Sequence, residues 1–117
     1  MLVEAGAWVQ ATMANGETPL HRAAFQNHGS VVVELLKCDG IVADSLREDG
    51  VTPLMLACMR GATSSVVALL EAGADPTRAE FKRHATPVMQ AAQGGHLDAI
   101  GAIIGAIRIS KLHICEI

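Results

Sequence analysis

Eight side chains of the sequence have the chemistry to bind a metal ion or to act as a nucleophile or acid–base group. They are His21, His28, His84, His96, His113, Cys38, Cys58 and Cys115. A structural zinc site needs closely spaced cysteine and histidine pairs, and no such pairs occur among these residues. The cysteines are odd in number and far apart, which indicates neither a disulfide framework nor a redox pair. The sequence therefore predicts no metal site. Unpaired thiols favour a reducing, intracellular compartment, which we expect to be the cytoplasm or else the nucleus.

Motifs of catalysis and nucleotide binding are also absent from the sequence. A serine hydrolase of the common α/β type carries a G-x-S-x-G turn that exposes the nucleophile, and the sequence has none. It also lacks the GxxxxGK[ST] and G-x-G-x-x-G loops that hold phosphates. We therefore predict a protein without catalytic activity and without a cofactor.

The composition predicts one domain and excludes two classes of partner. Half of the 117 residues are apolar but only three are aromatic, so small aliphatic side chains must fill the interior. The formal charge is −3 and the nine lysines and arginines are scattered, which gives no basic stripe for nucleic acid. The longest apolar run, residues 99–107, is far shorter than the roughly 20 residues that cross a bilayer. We expect neither nucleic acid nor membrane binding.

A Thr-Pro pair recurs at residues 18–19, 52–53 and 86–87, at intervals of 34 residues. A fixed interval of this size is typical of a structural repeat. Each threonine is predicted to be a helix N-cap, with proline at the first helical position. Asn27-His28, Gly61 and Gly94-Gly95 suit the turn that ends this first helix, and a second helix is expected to begin near Ser30, Ser64 or His96.

Two sets of positions predict how these helices pack. The first helices carry paired small residues, which let neighbouring repeats approach closely: Ala23-Ala24, Ala57-Cys58 and Ala91-Ala92. Cys58 is accordingly interpreted as a buried filler rather than a reactive thiol. The second helices have apolar positions on one face, namely Val32, Leu35 and Leu36 in the first copy and Val66, Leu69 and Leu70 in the second.

TPLHRAA at 18–24, DGVTPL at 49–54, VVALLEAGAD at 66–75 and Gly95-His96 resemble the ankyrin repeat. The resemblance covers almost the whole chain, since LVEAGA at 2–7 matches LLEAGA at 69–74 in five of six positions. It implies a mainly α fold, an ankyrin-type solenoid of stacked β-hairpin/α-hairpin repeats in an alpha-alpha superhelix. We expect a single domain over 1–117, with a remnant of a preceding repeat at 1–12 and successive repeats at 13–46, 47–80 and 81–117.

The sequence departs from the family pattern at several points. The interval exceeds the family's period of about 33 residues, which predicts longer fingers between the helix pairs. The family histidine after Pro-Leu remains only as His21 and is replaced by Met55 and Met89, so its hydrogen-bond network should be thinned. Arg83 and His84 occupy the place of the turn Asp-Gly in the third finger. The repeat ends in an apolar segment expected to leave Ile103, Ile107, Ile109 and Ile114 partly uncovered.

The resemblance implies non-catalytic protein binding on a concave face of finger tips and first helices. The partner-binding positions that it implies are Phe25, Gln26, Met59, Arg60 and Gln93 on the helices, and Asn15, Glu17, Glu48, Asp49, Val51, Lys82 and Arg83 on the fingers. Phe25 and Met59 either contact a protein partner or pack on the adjacent finger. The alternative function is a structural segment of a longer array that stacks or self-associates through its uncapped apolar ends.

Overall fold

The computed structural model of the chain describes residues 15–115, with side chains described for residues 15–108. Within this range the chain forms three pairs of helices. They are α1 (Pro19–Phe25), α2 (Gly29–Leu36), α3 (Pro53–Arg60), α4 (Thr63–Glu71), α5 (Pro87–Gln93) and α6 (Leu97–Cys115). The expected remnant repeat at 1–12 lies outside the described residues. The helical repeat solenoid predicted from the sequence is confirmed.

The first helix of each pair begins as the Thr-Pro pairs predict. Thr18 and Thr52 have extended backbones, and their hydroxyl oxygens accept the N–H groups of His21 at 3.4 Å and Met55 at 3.3 Å. Thr86 has the same extended backbone, and a proline follows it at the start of the helix. These contacts pair backbone donors that have no partner inside a helix.

The turn between the two helices of each pair contains one residue in the left-handed region. Asn27, Gly61 and Gly95 occupy equivalent positions, with φ of 60°, 66° and 73°. Glycine adopts this conformation without penalty, and asparagine tolerates it better than most residues. The chain can therefore reverse direction within a few residues and lay the second helix against the first.

His21 joins the first helix pair to the next repeat. Its Nδ1 accepts the N–H of Thr18 at 3.1 Å, so Nε2 carries the proton and donates to the carbonyl of Val51 at 2.9 Å. Burial lowers the pKa of His21, although the bond to Val51 opposes this effect. At the equivalent positions the sulfurs of Met55 and Met89 each lie 3.5 Å from the threonine nitrogen of their own repeat. A thioether has no donor, so the predicted thinning of the network is confirmed.

The core runs along the stack rather than around one centre. Helix α3 packs between α1 and α5, and α4 packs between α2 and α6. The largest fully buried apolar side chains come from all three pairs: Leu20, Val32, Leu35, Leu54, Met55, Val66, Leu69 and Ile103. Cys58 is fully buried, as expected for a small filler.

One expectation about the last repeat is wrong. Ile103 is fully buried in the core instead of partly uncovered, because it faces the preceding helix pair as Leu69 does. Ala92 is exposed, since the face that the equivalent Ala24 buries against the next repeat has no repeat packed on it here. Ile107 is half-buried. The side chains of Ile109 and Ile114 lie outside the described range.

The fingers differ in detail from the expected β-hairpins. Residues 37–52 and 72–86 connect the helix pairs, and the described chain contains no regular strand in them. Each finger is instead a turn closed by backbone hydrogen bonds, from Arg47 N–H to the Val51 carbonyl and from Glu80 N–H to the Ala85 carbonyl, both at 3.1 Å. The pairing is too short to form a ladder.

Candidate functional site

Neighbouring fingers are joined edge to edge by backbone hydrogen bonds. The N–H of Glu48 donates to the carbonyl of Asn15, and the N–H of Phe81 donates to the carbonyl of Asp49, both at 2.9 Å. The Phe81 ring also covers Gly50, where a Cβ would lie 2.6 Å from the ring. The three fingers therefore form a continuous edge, and their tips keep fixed positions relative to one another.

An ion-pair network holds the second finger. Arg47 donates to both carboxylate oxygens of Asp49, at 3.2 and 2.8 Å, and lies 3.9 Å from Glu17. Asp49 also accepts the N–H of Val51 at 3.3 Å. The side-chain bond to Arg47 lowers the pKa of Asp49, and the same bond raises the pKa of Arg47. Glu17 is shared with Arg22 at 3.5 Å, so the network links the first two fingers.

The third finger lacks the Asp-Gly pair of the usual turn, and the carboxylate of Glu80 stabilises its tip instead. The Glu80 carboxylate accepts the N–H groups of Lys82 at 2.8 Å, Arg83 at 3.0 Å and Ala85 at 3.1 Å. The bonds to the Ala85 and Arg83 N–H groups lower the pKa of Glu80. His84 takes the left-handed conformation, with φ of 57°, at the position where the second finger has glycine. The third finger thus also turns through a left-handed residue, but its closing hydrogen bond spans one residue more, from Glu80 to Ala85 instead of from Arg47 to Val51.

The first helices present a column of side chains on the side next to the fingers. Phe25 is 38% exposed and Met59 is 45% exposed, and Gln93 follows them in the third repeat and is exposed. The guanidinium of Arg60 lies 5.0 Å from the centre of the Phe25 ring. This cation–π contact covers part of the ring and joins the first two repeats.

The column and the fingers enclose a shallow groove of about 360 Å³. Seven of the partner-binding positions predicted from the sequence line it: Phe25, Met59, Gln93, Asp49, Val51, Lys82 and Arg83. Val51 is only 7% exposed and belongs to the floor. Lys82 and Arg83 are exposed, and no carboxylate within the described residues forms an ion pair with them.

The other predicted positions lie elsewhere. Asn15 and Glu48 line a separate depression of about 280 Å³ at the finger tips, which Asp49 and Lys82 share with the groove. Glu17 is buried, 8% exposed, and its carboxylate is engaged by arginines, so its side chain has little surface to offer a partner. Gln26 and Arg60 are exposed beside the column without lining the groove.

Sequence reasoning missed several groove residues, of which Gln90 is the most informative. Gln90 is 9% exposed and lines the groove, and its Oε1 has no hydrogen-bond partner. The equivalent residue in the second repeat is Leu56, which is buried. The first repeat has the exposed Arg22 at this position, so the repeat pattern in the sequence gives no signal that Gln90 is buried and unpaired. Arg47 and Glu80 also line the groove, and only the contacts described here show their roles.

Two of the side chains that could take part in chemistry, Cys58 and His96, have structural roles. Burial raises the pKa of the Cys58 thiol to about 12, so it is not a nucleophile at neutral pH. His96 donates from Nε2 to the carbonyl of Met59 at 3.1 Å, a structural contact between the third and second repeats. Among the residues that the structure describes, no three His, Cys, Asp or Glu side chains are grouped to hold a metal ion. In the same range no helix has both the length and the apolar character needed to cross a membrane.

The geometry can be compared with known families. A family model described as ankyrin repeats (3 copies) matches residues 1–80. The chain therefore belongs to the ankyrin repeat family, whose members generally mediate protein–protein interactions and are typically non-enzymatic. Among curated proteins, none matches this chain. The third helix pair lies beyond the matched residues, yet α5 and α6 pack on the second pair in the same arrangement that joins the second pair to the first.

Proposed function

We propose that the protein is a non-catalytic interaction module that binds a protein partner in the groove between the finger tips and the first helices. The observation that carries this proposal is the exposure of Phe25 and Met59 on one wall of the groove. Aromatic and methionine side chains are enriched in the centres of protein interfaces. Lys82 and Arg83 line the same groove, so a partner would meet apolar and charged groups together.

The scaffold favours binding because its surface is already ordered. Backbone hydrogen bonds join the fingers, His21 bonds to the second finger, and His96 bonds to the end of α3. A preorganised surface loses less conformational entropy when it associates. An intracellular partner is predicted from the odd number and wide spacing of the cysteines.

A capture experiment tests this function. The double variant Phe25→Ala, Met59→Ala removes both anchors, and we expect it to lose the partner that the immobilised wild-type chain retains. The matched control is Val33→Ala, Val67→Ala, which removes apolar side chains that are each 39% exposed on the second helices, away from the groove. Equal capture by the wild type and the Phe25, Met59 double variant would exclude the groove as the binding site.

The exposed face of the last repeat supports a second candidate, in which the chain stacks on a second copy. We call this the end face, formed by Met89, Ala92 and Ile104. Met89 is 56% exposed and Ile104 44%, whereas Met55, the equivalent of Met89, is fully buried in the second repeat. Exposed apolar surface of this kind usually marks an association site.

The oligomeric state tests the second candidate. Wild-type protein should form dimers or larger species in sedimentation velocity runs as its concentration rises. Met89→Glu, Ile104→Glu should remain monomeric over the same range, because it places two charges in the end face. A wild-type chain that stays monomeric at the highest concentration would refute stacking through this face.

A further inference from the structure

We propose that the groove binds an extended peptide segment that carries an acidic residue, with Gln90 accepting a backbone N–H and Lys82 and Arg83 binding the carboxylate. This inference rests on the proposed function and specifies the chemistry of its partner. Three independent features of the groove point to such a ligand, namely an unpaired amide, an uncommitted pair of cations and an apolar wall.

The unpaired amide is the first feature. Gln90 is more than nine-tenths buried at the groove surface, and its Oε1 has no partner among the described residues. A buried polar atom without a hydrogen bond is unfavourable, whereas leucine at the equivalent position of the second repeat would avoid this penalty. The Oε1 atom itself is buried, but the terminal torsion of glutamine is soft, so rotation of the amide can turn its oxygen toward a ligand. The N–H groups of an extended peptide are donors of the required kind.

The charge of the groove is the second feature. The side chains that line it include three cations and two carboxylates, whereas the whole chain carries a formal charge of −3. Asp49 is bound by Arg47 through two hydrogen bonds, and the Glu80 oxygens are turned toward backbone N–H groups. Lys82 and Arg83 are left to bind an anion from a partner, and their local charge is complementary to an acidic side chain.

The apolar wall is the third feature, and it predicts that the ligand also carries an apolar side chain. Leu56, Val51 and Ala85 line the groove, with the Phe25 ring and the Met59 thioether beside them. An apolar side chain next to the acidic residue would cover these groups while the carboxylate reaches the finger tip. In an extended chain, side chains two positions apart point to the same side, so we expect the acidic and apolar residues that enter the groove to be two positions apart.

Selection from a random peptide library displayed on phage, with the full chain as bait, identifies the ligand chemistry. We expect enriched peptides to share an Asp or Glu two positions from a large apolar residue. Enrichment of peptides without an acidic residue overturns the inference, and so does a selection that yields no peptide dependent on Phe25 and Met59.

Variants measured with one enriched, fluorescently labelled peptide then separate the contributions. Lys82→Glu, Arg83→Glu should weaken binding about tenfold or more at low salt, and by less at high salt because charges are screened. The control Lys37→Glu, Arg108→Glu makes the same change in net charge at exposed positions outside the groove and should leave affinity unchanged. An equal loss in both pairs would show that only the net charge matters, which overturns the inference.

Gln90→Leu tests the amide with a residue that the second repeat already uses. It should weaken binding by about three- to tenfold, the effect of one hydrogen bond, while the melting temperature stays the same or rises. Unchanged affinity overturns the role of the amide. Peptides that need Phe25 and Met59 but are indifferent to Gln90, Lys82 and Arg83 would refute this inference and leave the proposed function intact, whereas peptides indifferent to Phe25 and Met59 would refute both.

Discussion

Replacing Gly61 with alanine should destabilise the protein more than the same change at Gly95. Both glycines have a left-handed backbone, with φ of 66° and 73°. A Cβ at Gly61 would lie 2.4 Å from Nδ1 of His96, whereas a Cβ at Gly95 would meet no atom within 4 Å. Comparing the two variants therefore separates the cost of backbone strain in the turn from the cost of disturbing the contact between repeats.

The expected magnitudes follow from these two effects. A left-handed alanine costs about 1–2 kcal/mol at either position. At Gly61 the imidazole ring of His96 must also move, which breaks its 3.1 Å hydrogen bond to the Met59 carbonyl. Loss of that bond adds about 0.5–1.5 kcal/mol. We expect the free energy of unfolding to fall by about 1.5–3.5 kcal/mol for Gly61→Ala and by about 1–2 kcal/mol for Gly95→Ala.

Urea unfolding followed by far-ultraviolet circular dichroism measures both losses. The same substitutions are then made in a His96→Ala background, where no ring opposes the new Cβ. There the two alanines should become equivalent, because only the backbone strain remains. If Gly61→Ala and Gly95→Ala are equally destabilising in the native background, the His96 contact does not hold the second and third repeats together and the reasoning is refuted.

Three further predictions concern buried groups. Burial lowers the pKa of His21, so its contribution to stability is complete above the unfolded value of about 6.5 and is lost as the pH falls through its lower folded pKa. His21→Met, which copies Met55, should flatten the stability profile below about pH 6.5, and an unchanged slope would contradict this. The Cys58 thiol, with its pKa raised to about 12, should resist a thiol reagent in native protein and react in urea, as peptide mass mapping can show; rapid native labelling would contradict its burial. Ala24→Leu should destabilise the fold by about 1–3 kcal/mol by overpacking, whereas Ala92→Leu on the end face should change the free energy of unfolding by less than about 0.5 kcal/mol; thermal unfolding compares the two, and equal losses would show that Ala92 is covered.

The helix pairs could be predicted from the sequence because their signals are local. Threonine and proline at a helix start, and glycine at its end, act through the backbone of a few neighbouring residues. The recurrence of these signals after Thr18, Thr52 and Thr86 predicted both the elements and their order in the stack. The positions of Phe25 and Met59 beside the fingers came from the family resemblance, which left open whether the two side chains are exposed or packed on the adjacent finger.

Features that depend on contacts distant in sequence could not be predicted. Ile103 was expected to be uncovered because the pattern weakens after it, but its burial is decided by α4. Gln90 was overlooked for a similar reason, since its unpaired oxygen is visible only when the surrounding atoms are known. Glu80 lies four residues before His84, and nothing in that spacing indicates that its carboxylate accepts the backbone N–H groups of the third finger.

The carboxylate of Glu80 has a consequence for how this protein can change. It accepts hydrogen bonds from the backbone of the tip and makes none to the tip's side chains, so residues 82 and 83 are free to vary without altering the loop's shape. Most tight turns restrict the identity of their central residues, whereas this tip would accept many. The third finger is thus the part of the molecule where new specificity could evolve, or be engineered, with the least risk to folding.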